Sequence, residues 1–481
     1  MNNYIGVTVG PIYKTLLNAK KTRELWVGSY IFSYIMREII KHFYDKGRVF
    51  VIPFVSKDCL SKRNGIGMFH DRCIFKSEAS DLADMRKKAD EILGDIGEKW
   101  GNREYAKKYF QLSWCELDEN GSYKNVVERM NRALDVIELH HKFIPEEDRN
   151  FITEALKNKS YIFYKEAGRI LEHFPSIPEI ATRGLNLPEG FFDEHDKEDD
   201  PLYELIKTEI QTRYGENNRQ NVKPYSLKKF FKYIAIVKAD GDNLSKTIAN
   251  LPDNSAFSEF SKKLFDFSIE AHKRIESFGG TTVFAGGDDL LFFAPLKNRD
   301  KNVFGLIEEL SELYQSFVPD GSALSFGVSL SYYKYPLYEA LQDVNDLLNE
   351  AKNGEKNAVA VRLLKHSGKE AAMVLSKSSL YSVFSKLTQY SLSDSRLLTS
   401  LIATLTQQSC ILDQIGADSK RIENFLANSF NEEIHKKNAE FMKALSEIIC
   451  RIYADAKLSD EYAKRNALFS MLKTATFLQE D

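Results

Sequence analysis

Two adjacent carboxylates follow two adjacent glycines near the middle of the chain, in the tetrad Gly286-Gly287-Asp288-Asp289. Apolar runs rich in β-branched and aromatic residues flank the tetrad, at 281–285 and 290–294. This pattern predicts two strands joined by a tight hairpin, because glycine readily takes the positive φ that such a turn demands. Two carboxylates at one turn repel each other unless a cation lies between them, and their oxygens suit Mg²⁺ or Mn²⁺. The tetrad therefore predicts a metal site, although glycine-aspartate pairs also occur in ordinary hairpin turns.

A second acidic segment, Asp240-Gly241-Asp242, closes an apolar run that starts at Tyr233. Helical patterns at 244–251 and 257–278 separate it from the tetrad. A strand, a helix and a hairpin in this order can place the strand beside the hairpin in one sheet, so we expect Asp240, Asp288 and Asp289 to converge. Asp242 shares their face if the strand continues past Asp240, and it lies in a loop if the strand ends there. Both alternatives are open.

The elements around these residues repeat in two halves of the chain. After the hairpin we predict a helix (302–317), a strand (323–331), a helix (337–353) and a strand (357–364), which gives βαββαβ plus one more helix and strand. Residues 4–117 have the same βαββαβ order without an acidic hairpin tip. The remaining text is mainly helical. We therefore expect an α+β protein with four parts: a first α+β unit (1–118), a helical linker (119–226), a second α+β unit (227–370) and a C-terminal helical bundle (371–481).

These motifs resemble the palm domain of nucleotide cyclases and diguanylate cyclases. The segment KADGDN lies where such domains carry an Asp-x-Asp strand end, AGGDD where they carry Gly-Gly-Asp-Glu, and SFGVS with NEAKNGEKN matches their closing signature. The Asp-Asp pair and the opening text VTVGPIYKTLLNAKKTRELWVGSY make the chain more similar to the large polymerase-like subunit of type III-B (Cmr) CRISPR complexes. The resemblance follows most of the chain in order, and the palm motifs are its specific part.

The resemblance implies two ferredoxin-like palm domains, of which the second is catalytic. It implies joining of ATP units with release of pyrophosphate, giving a cyclic oligoadenylate or AMP attached to another acceptor such as S-adenosylmethionine. Such transfer uses two divalent cations about 3.5–4 Å apart, held by carboxylates. By resemblance, Asp240, Asp288 and Asp289 are the catalytic metal ligands, and the expected nucleotide contacts are Gly286, Gly287, Gly241, Asp242, Lys352 and, more weakly supported, Lys246. The implied partners are other Cmr subunits and guide RNA, with target RNA as the activator.

Two other functions compete with this interpretation. A stand-alone diguanylate-type cyclase would carry the same palm motifs, and a non-catalytic scaffold subunit would carry degenerate ones.

Two His-Asp dipeptides, His70-Asp71 and His195-Asp196, raise the question of the HD nuclease found in many relatives. The first lies in a strand-like run and the second in an acidic tract at 191–200, which we expect to be a solvated loop. Because the sequence opens on the palm itself, we expect the HD domain to be absent.

Composition and charge narrow the remaining classes of function. The net charge of −3 gives no overall field for nucleic acid, so RNA contacts must use local patches, such as Lys20, Lys21 and Arg23, or partner subunits. The five cysteines are scattered without a Cys-x-x-Cys pair, which predicts reduced thiols and no structural zinc. No apolar run approaches the roughly 20 residues of a membrane helix, and no secretory signal is evident. These observations predict a cytoplasmic protein that does not span a membrane.

Overall fold

Two largely antiparallel sheets, one in each α+β unit, organise the fold. The computed structural model describes residues 3–140, 146–169, 174–183, 229–299, 301–318, 322–354, 356–365, 368–390, 396–429, 436–458 and 460–479. The predicted acidic loop at 191–200, including His195-Asp196, lies outside these residues. The mixed α+β class and the two related units agree with the sequence prediction.

The first sheet has the strand order β2-β3-β1-β4, with every neighbouring pair antiparallel, which is the ferredoxin-like arrangement. Its central strand β1 is almost entirely buried, because helices cover both faces of the sheet. The elements are β1 (Asn3–Gly10), α1 (Ile12–Leu16), α2 (Thr22–Asp45), β2 (Phe50–Ile52), α3 (Lys57–Ser61), β3 (Arg72–Ser77), α4 (Asp81–Trp100), α5 (Arg103–Tyr109) and β4 (Gln111–Asp118).

The second sheet repeats this order in its first four strands and then continues, as β6-β7-β5-β10-β11-β12. Only β10 and β11 run parallel. The elements are β5 (Tyr233–Gly241), α10 (Leu244–Ala249), α11 (Asn254–Ser277), β6 (Thr281–Gly286), β7 (Asp289–Pro295), β8 (Lys297–Asn298), β9 (Lys301–Asn302), α12 (Val303–Phe317), β10 (Leu324–Tyr332), α13 (Leu337–Asn353), β11 (Ala358–Lys365) and β12 (Gly368–Ser376).

Strand β12 corrects the expected end of the second unit. We predicted one extra helix and one extra strand and placed the boundary at residue 370, but β12 pairs with β11 as far as Ser376. Its side chains alternate, since Ala371, Met373 and Leu375 are buried while Val374 is 48% exposed. This alternation of period two is the ordinary signal of a strand with one covered face.

The helical regions pack directly on the two sheets. Helix α6 buries Val126, Met130 and Leu134 against the first sheet, so the start of the expected linker belongs to the first domain's core. The C-terminal helix α19 lies on β12. None of the described helices is long and apolar enough to cross a membrane. The elements are α6 (Tyr123–Leu139), α7 (Glu146–Lys159), α8 (Tyr164–Ala167), α9 (Ile177–Ala181), α14 (Tyr381–Gln389), α15 (Arg396–Gln407), α16 (Ser409–Ile415), α17 (Ser419–Ser429), α18 (Ala439–Ala454) and α19 (Glu461–Gln479).

The two domains meet at the edge strand β6 of the second sheet. Helix α2 of the first domain contacts β6, which explains why α2 is apolar on overlapping faces. The segment before β3 adds a short parallel bridge between Gly67 and Phe284, and the amide of Ala285 donates to the carbonyl of Gly67 at 3.3 Å. The first domain therefore covers the strand that leads into the tetrad.

Candidate active site

The tetrad forms the tight turn that the sequence predicts. Strand β6 ends at Gly286 and β7 begins at Asp289, and these two residues are paired across the hairpin, leaving Gly287 and Asp288 as its two turn residues. Gly287 has φ +59°, in the left-handed region that favours glycine. A side chain at Gly286 would lie 2.6 Å from the ring of Phe284, so this position also has no room for one.

Strand β5 brings Asp240 to the same end of the sheet. It lies between β7 and β10, with Ala239 opposite Leu290 on one side and Asp240 opposite Ser325 on the other. The next position along β7 from Leu290 is Asp289, so the structure brings Asp240, Asp288 and Asp289 together. A side chain at Gly241 would clash with the Asp288 carboxylate, which shows how closely the strand end approaches the turn.

The electrostatics of these carboxylates favour a cation. Burial, with the neighbouring charges of Asp240 and Asp288, raises the pKa of Asp289 to about 6, although Lys238 acts in the opposite direction. The pKa of Asp288 is also raised, first by burial and then by the Asp240 charge. The Oδ1 atom of Asp289 is buried and has no hydrogen-bond partner within the described residues. A divalent cation would offset this repulsion and supply the missing partner.

The carboxylates are not gathered into a ready-made metal cage. Among the described residues, no group of three or more His, Cys, Asp or Glu side chains is arranged to hold a metal ion. Lys352 forms an ion pair with Asp240, and its ammonium also donates to the carbonyl of Gly241 at 3.1 Å. The expected phosphate contact thus lies at the site, where it neutralises a carboxylate of the predicted ligand set.

Asp242 turns away from the other carboxylates. It is only 2% exposed, and its Oδ2 accepts hydrogen bonds from the Ser325 hydroxyl and the Asn357 amide, both at 2.7 Å. Strand β5 ends at Gly241, so the loop alternative is the one observed. Asp242 fastens the end of β5 to β10 and to the segment before β11, whereas a nucleotide contact by its side chain stays a prediction.

The remaining predicted contact, Lys246, is exposed on the short helix α10. In the part of the chain that the structure describes, it pairs with none of the three converging carboxylates.

Two other lysines near the site were not predicted from the sequence. Lys238 donates to Asn345 at 2.8 Å and Lys356 to Asn243 at 3.2 Å. Lys238 lies two residues before Asp240 on one strand, so strand periodicity alone could have placed both side chains on one face.

The dipeptide His70-Asp71 lies at the corresponding place in the first domain. Asp71 immediately precedes β3 as Asp288 immediately precedes β7, and the amide of Val9 donates to its carbonyl at 3.0 Å. Asp71 does not lie at a hairpin tip, because residues 53–71 separate β2 from β3, so the structure agrees with the expectation that the first unit has no acidic hairpin tip. Burial raises the pKa of Asp71, although His70 and Arg72 oppose the effect. The ring of His70 reaches the tetrad itself, since a side chain at Gly287 would lie 2.7 Å from its Nε2.

Family models match both domains. The model described as Cas10/Cmr2, second palm domain, matches residues 233–360, and the model of the CRISPR-associated protein Cmr2 N-terminal region matches residues 4–105. The CRISPR system Cmr subunit Cmr2 of Pyrococcus furiosus is 31% identical over 166 residues. That alignment covers 28% of this chain and only 19% of the Pyrococcus protein.

Solved structures share the fold over most of the chain. The type III-B Cmr-beta complex in its apo state has a chain with a TM-score of 0.56 at 12% identity, covering 96% of this chain and 82% of that one. A chain of the Csm1-Csm4 cassette in complex with cA3 gives 0.52 at 12% identity, covering 93% and 69%. The same cassette in complex with AMPPNP gives 0.51 at 12% identity, covering 100% and 70%. From the two matched domains, we conclude that the chain belongs to the Cas10/Cmr2 family of CRISPR-associated proteins.

Proposed function

We propose that this chain is the large subunit of a cytoplasmic type III-B CRISPR effector complex and makes an adenylate second messenger from ATP when the complex binds target RNA. The carrying observation is the convergence of Asp240, Asp288 and Asp289 beside a glycine turn in the domain that matches the second palm. The similar Csm1-Csm4 structures, described as complexes with cA3 and AMPPNP, support an adenine nucleotide as the ligand. Its partners would be other Cmr subunits and guide RNA.

The residues of the site have distinct tasks in this reaction. Asp240, Asp288 and Asp289 would hold Mg²⁺ or Mn²⁺, which supplies neutralisation of phosphate charge and activation of the attacking hydroxyl. Gly286, Gly287 and Gly241 would contact the nucleotide through backbone atoms only. Their missing side chains let neighbouring groups, the Phe284 ring, the His70 ring and the Asp288 carboxylate, pack directly on the turn and the strand end. Lys352 already neutralises Asp240 and lies where it can also meet a phosphate oxygen.

The product is a cyclic oligoadenylate, or AMP joined to a different acceptor such as S-adenosylmethionine. A stand-alone diguanylate-type cyclase would dimerise through its own palm. Here the strand leading into the tetrad is covered by the first domain of the same chain, which disfavours that alternative. A purely structural scaffold would gain nothing from Asp288 and Asp289, whose pKa values are raised by burial and by neighbouring carboxylates.

The test is product formation by the assembled complex with labelled ATP, Mg²⁺ or Mn²⁺ and cognate target RNA, with products resolved by mass. The double variant Asp288→Ala/Asp289→Ala should lower the rate at least about a thousandfold, because metal and electrostatic stabilisation contribute several kcal/mol. The variant should still assemble, since the Asp288 and Asp289 side chains are only partly buried and are not part of the hydrophobic core. Normal product from the assembled variant would contradict the proposed site.

A further inference from the structure

The loop before β3 is held firmly against both domains. The amide of Phe69 donates to the buried hydroxyl of Ser33 in α2 at 2.8 Å. On the other side, Gly67 pairs with β6 through its carbonyl, and a side chain at Gly67 would lie 2.9 Å from the Ser33 Cβ. The loop thus has little freedom between α2 and β6. Its position fixes the side chain that follows, His70.

The imidazole of His70 lies on the glycine turn of the second domain. A methyl group at Gly287 would be 2.7 Å from its Nε2, and one at Gly286 would be 3.2 Å from its Cε1. The ring is half-buried and edge-on to Phe284. Within the described residues neither ring nitrogen has a hydrogen-bond partner, although three carboxylates converge at the site. A neutral imidazole carries one N–H donor and one acceptor nitrogen, so the ring has capacity to bind a further group.

We propose that His70 is a substrate-binding residue, donating from the first domain to a phosphate oxygen of the nucleoside triphosphate held at the tetrad. This inference rests on the proposed function and adds a residue that the second palm does not contain. The His70 ring is half-buried beside the turn, and a phosphate oxygen is a charged acceptor that suits its N–H donor. The nucleotide would thereby touch both domains, and the site is incomplete without the first.

The test compares His70→Leu with His70→Gln in the assembled, RNA-activated complex. Leucine keeps apolar packing on Phe284 but loses the donor, whereas glutamine keeps an N–H at similar reach. A hydrogen bond to a charged group corresponds to roughly a 10- to 100-fold change in binding, so the KM for ATP should rise by that factor for His70→Leu. His70→Gln should recover most of the loss. His42→Leu, on α2 with its ring against Phe43, is the matched control and should match the wild type.

The outcomes of this test distinguish a substrate-binding role of His70 from a packing role. A KM for ATP in His70→Leu equal to that of the wild type would overturn the inference. Equal losses in the leucine and glutamine variants, accompanied by equal drops in melting temperature, would also overturn it, because they would show a packing role. Absence of product from the wild-type complex itself would count against the proposed function instead. Binding of the non-hydrolysable analogue AMPPNP to wild type and His70→Leu would then still compare the two side chains.

Discussion

The two domains carry the same four-stranded core but end their central strands differently. In the first, β1 ends at Gly10, and residues 53–71 form a long segment between β2 and β3. In the second, β5 ends at Asp240-Gly241, and a two-residue turn joins β6 to β7. In the second sheet, the short turn and the end of β5 form a site with converging carboxylates. In the first sheet, the long segment before β3 extends to that site.

The charges around the two sheet ends are also managed differently. In the first domain Arg72 pairs with Asp135 and Glu138 of α6, and Glu138 accepts from the Thr8 hydroxyl at 2.5 Å. In the second domain Asp288 and Asp289 have raised pKa values, and Asp289 has a buried oxygen without a partner in the described chain. Charges that are paired within the fold stabilise it, whereas buried carboxylates left without a partner are suited to a ligand.

The first prediction tests Asp240 of the second domain, which has no acidic counterpart at the end of β1. Asp240→Ala should lower product formation by about a thousandfold, as for the tetrad, and leave folding intact because Asp240 is 38% exposed at its side chain. Asp242→Ala should instead destabilise the fold by about 2 kcal/mol, since it leaves the buried Ser325 hydroxyl and the Asn357 amide without an acceptor. Product rates and urea unfolding of both variants separate the roles.

The opposite pattern would contradict the assignment. If Asp242→Ala kept full stability and lost all product, Asp242 would belong with the nucleotide contacts as first expected from the sequence. The matched variant Asp242→Asn keeps one acceptor oxygen, so it should lose less stability than Asp242→Ala.

The next largest effect concerns the close contact between the domains. Gly287→Ala places a methyl group at φ +59° and 2.7 Å from the His70 ring. The left-handed conformation alone costs about 1–2 kcal/mol for a residue with a Cβ. We expect product formation to fall about tenfold and the free energy of unfolding to fall by about 2 kcal/mol. Combining the change with His70→Ala should restore the part due to the clash, and urea unfolding measures how much returns.

The second domain was the more predictable of the two. The tetrad hairpin and the position of Asp240 follow from residues close in sequence, because glycine chemistry and strand periodicity are local. The loop role of Asp242 depends on Ser325 and Asn357, which lie far along the chain, and the sequence left it open. His70 could not be placed on the tetrad, because that contact depends on how two domains pack. Strand β12 was missed although its alternation was present in the sequence.

The smallest effect is a pH dependence that belongs to the second domain's turn. The pKa of Asp289 is raised to about 6 by burial and by neighbouring carboxylates, from an ordinary value of 3.8. The folded state therefore binds the proton more tightly than the unfolded state. This contribution to stability is fully present below the ordinary pKa and is lost as the pH rises through about 6.

Without divalent cation, the wild type should lose stability relative to Asp289→Asn between pH 4.5 and pH 7, which urea unfolding at both pH values measures. Mg²⁺ should reverse the loss at pH 7, because ionised carboxylates bind it. If the difference in unfolding free energy between wild type and Asp289→Asn stays constant with pH and with Mg²⁺, the pKa of Asp289 is not raised in the folded state.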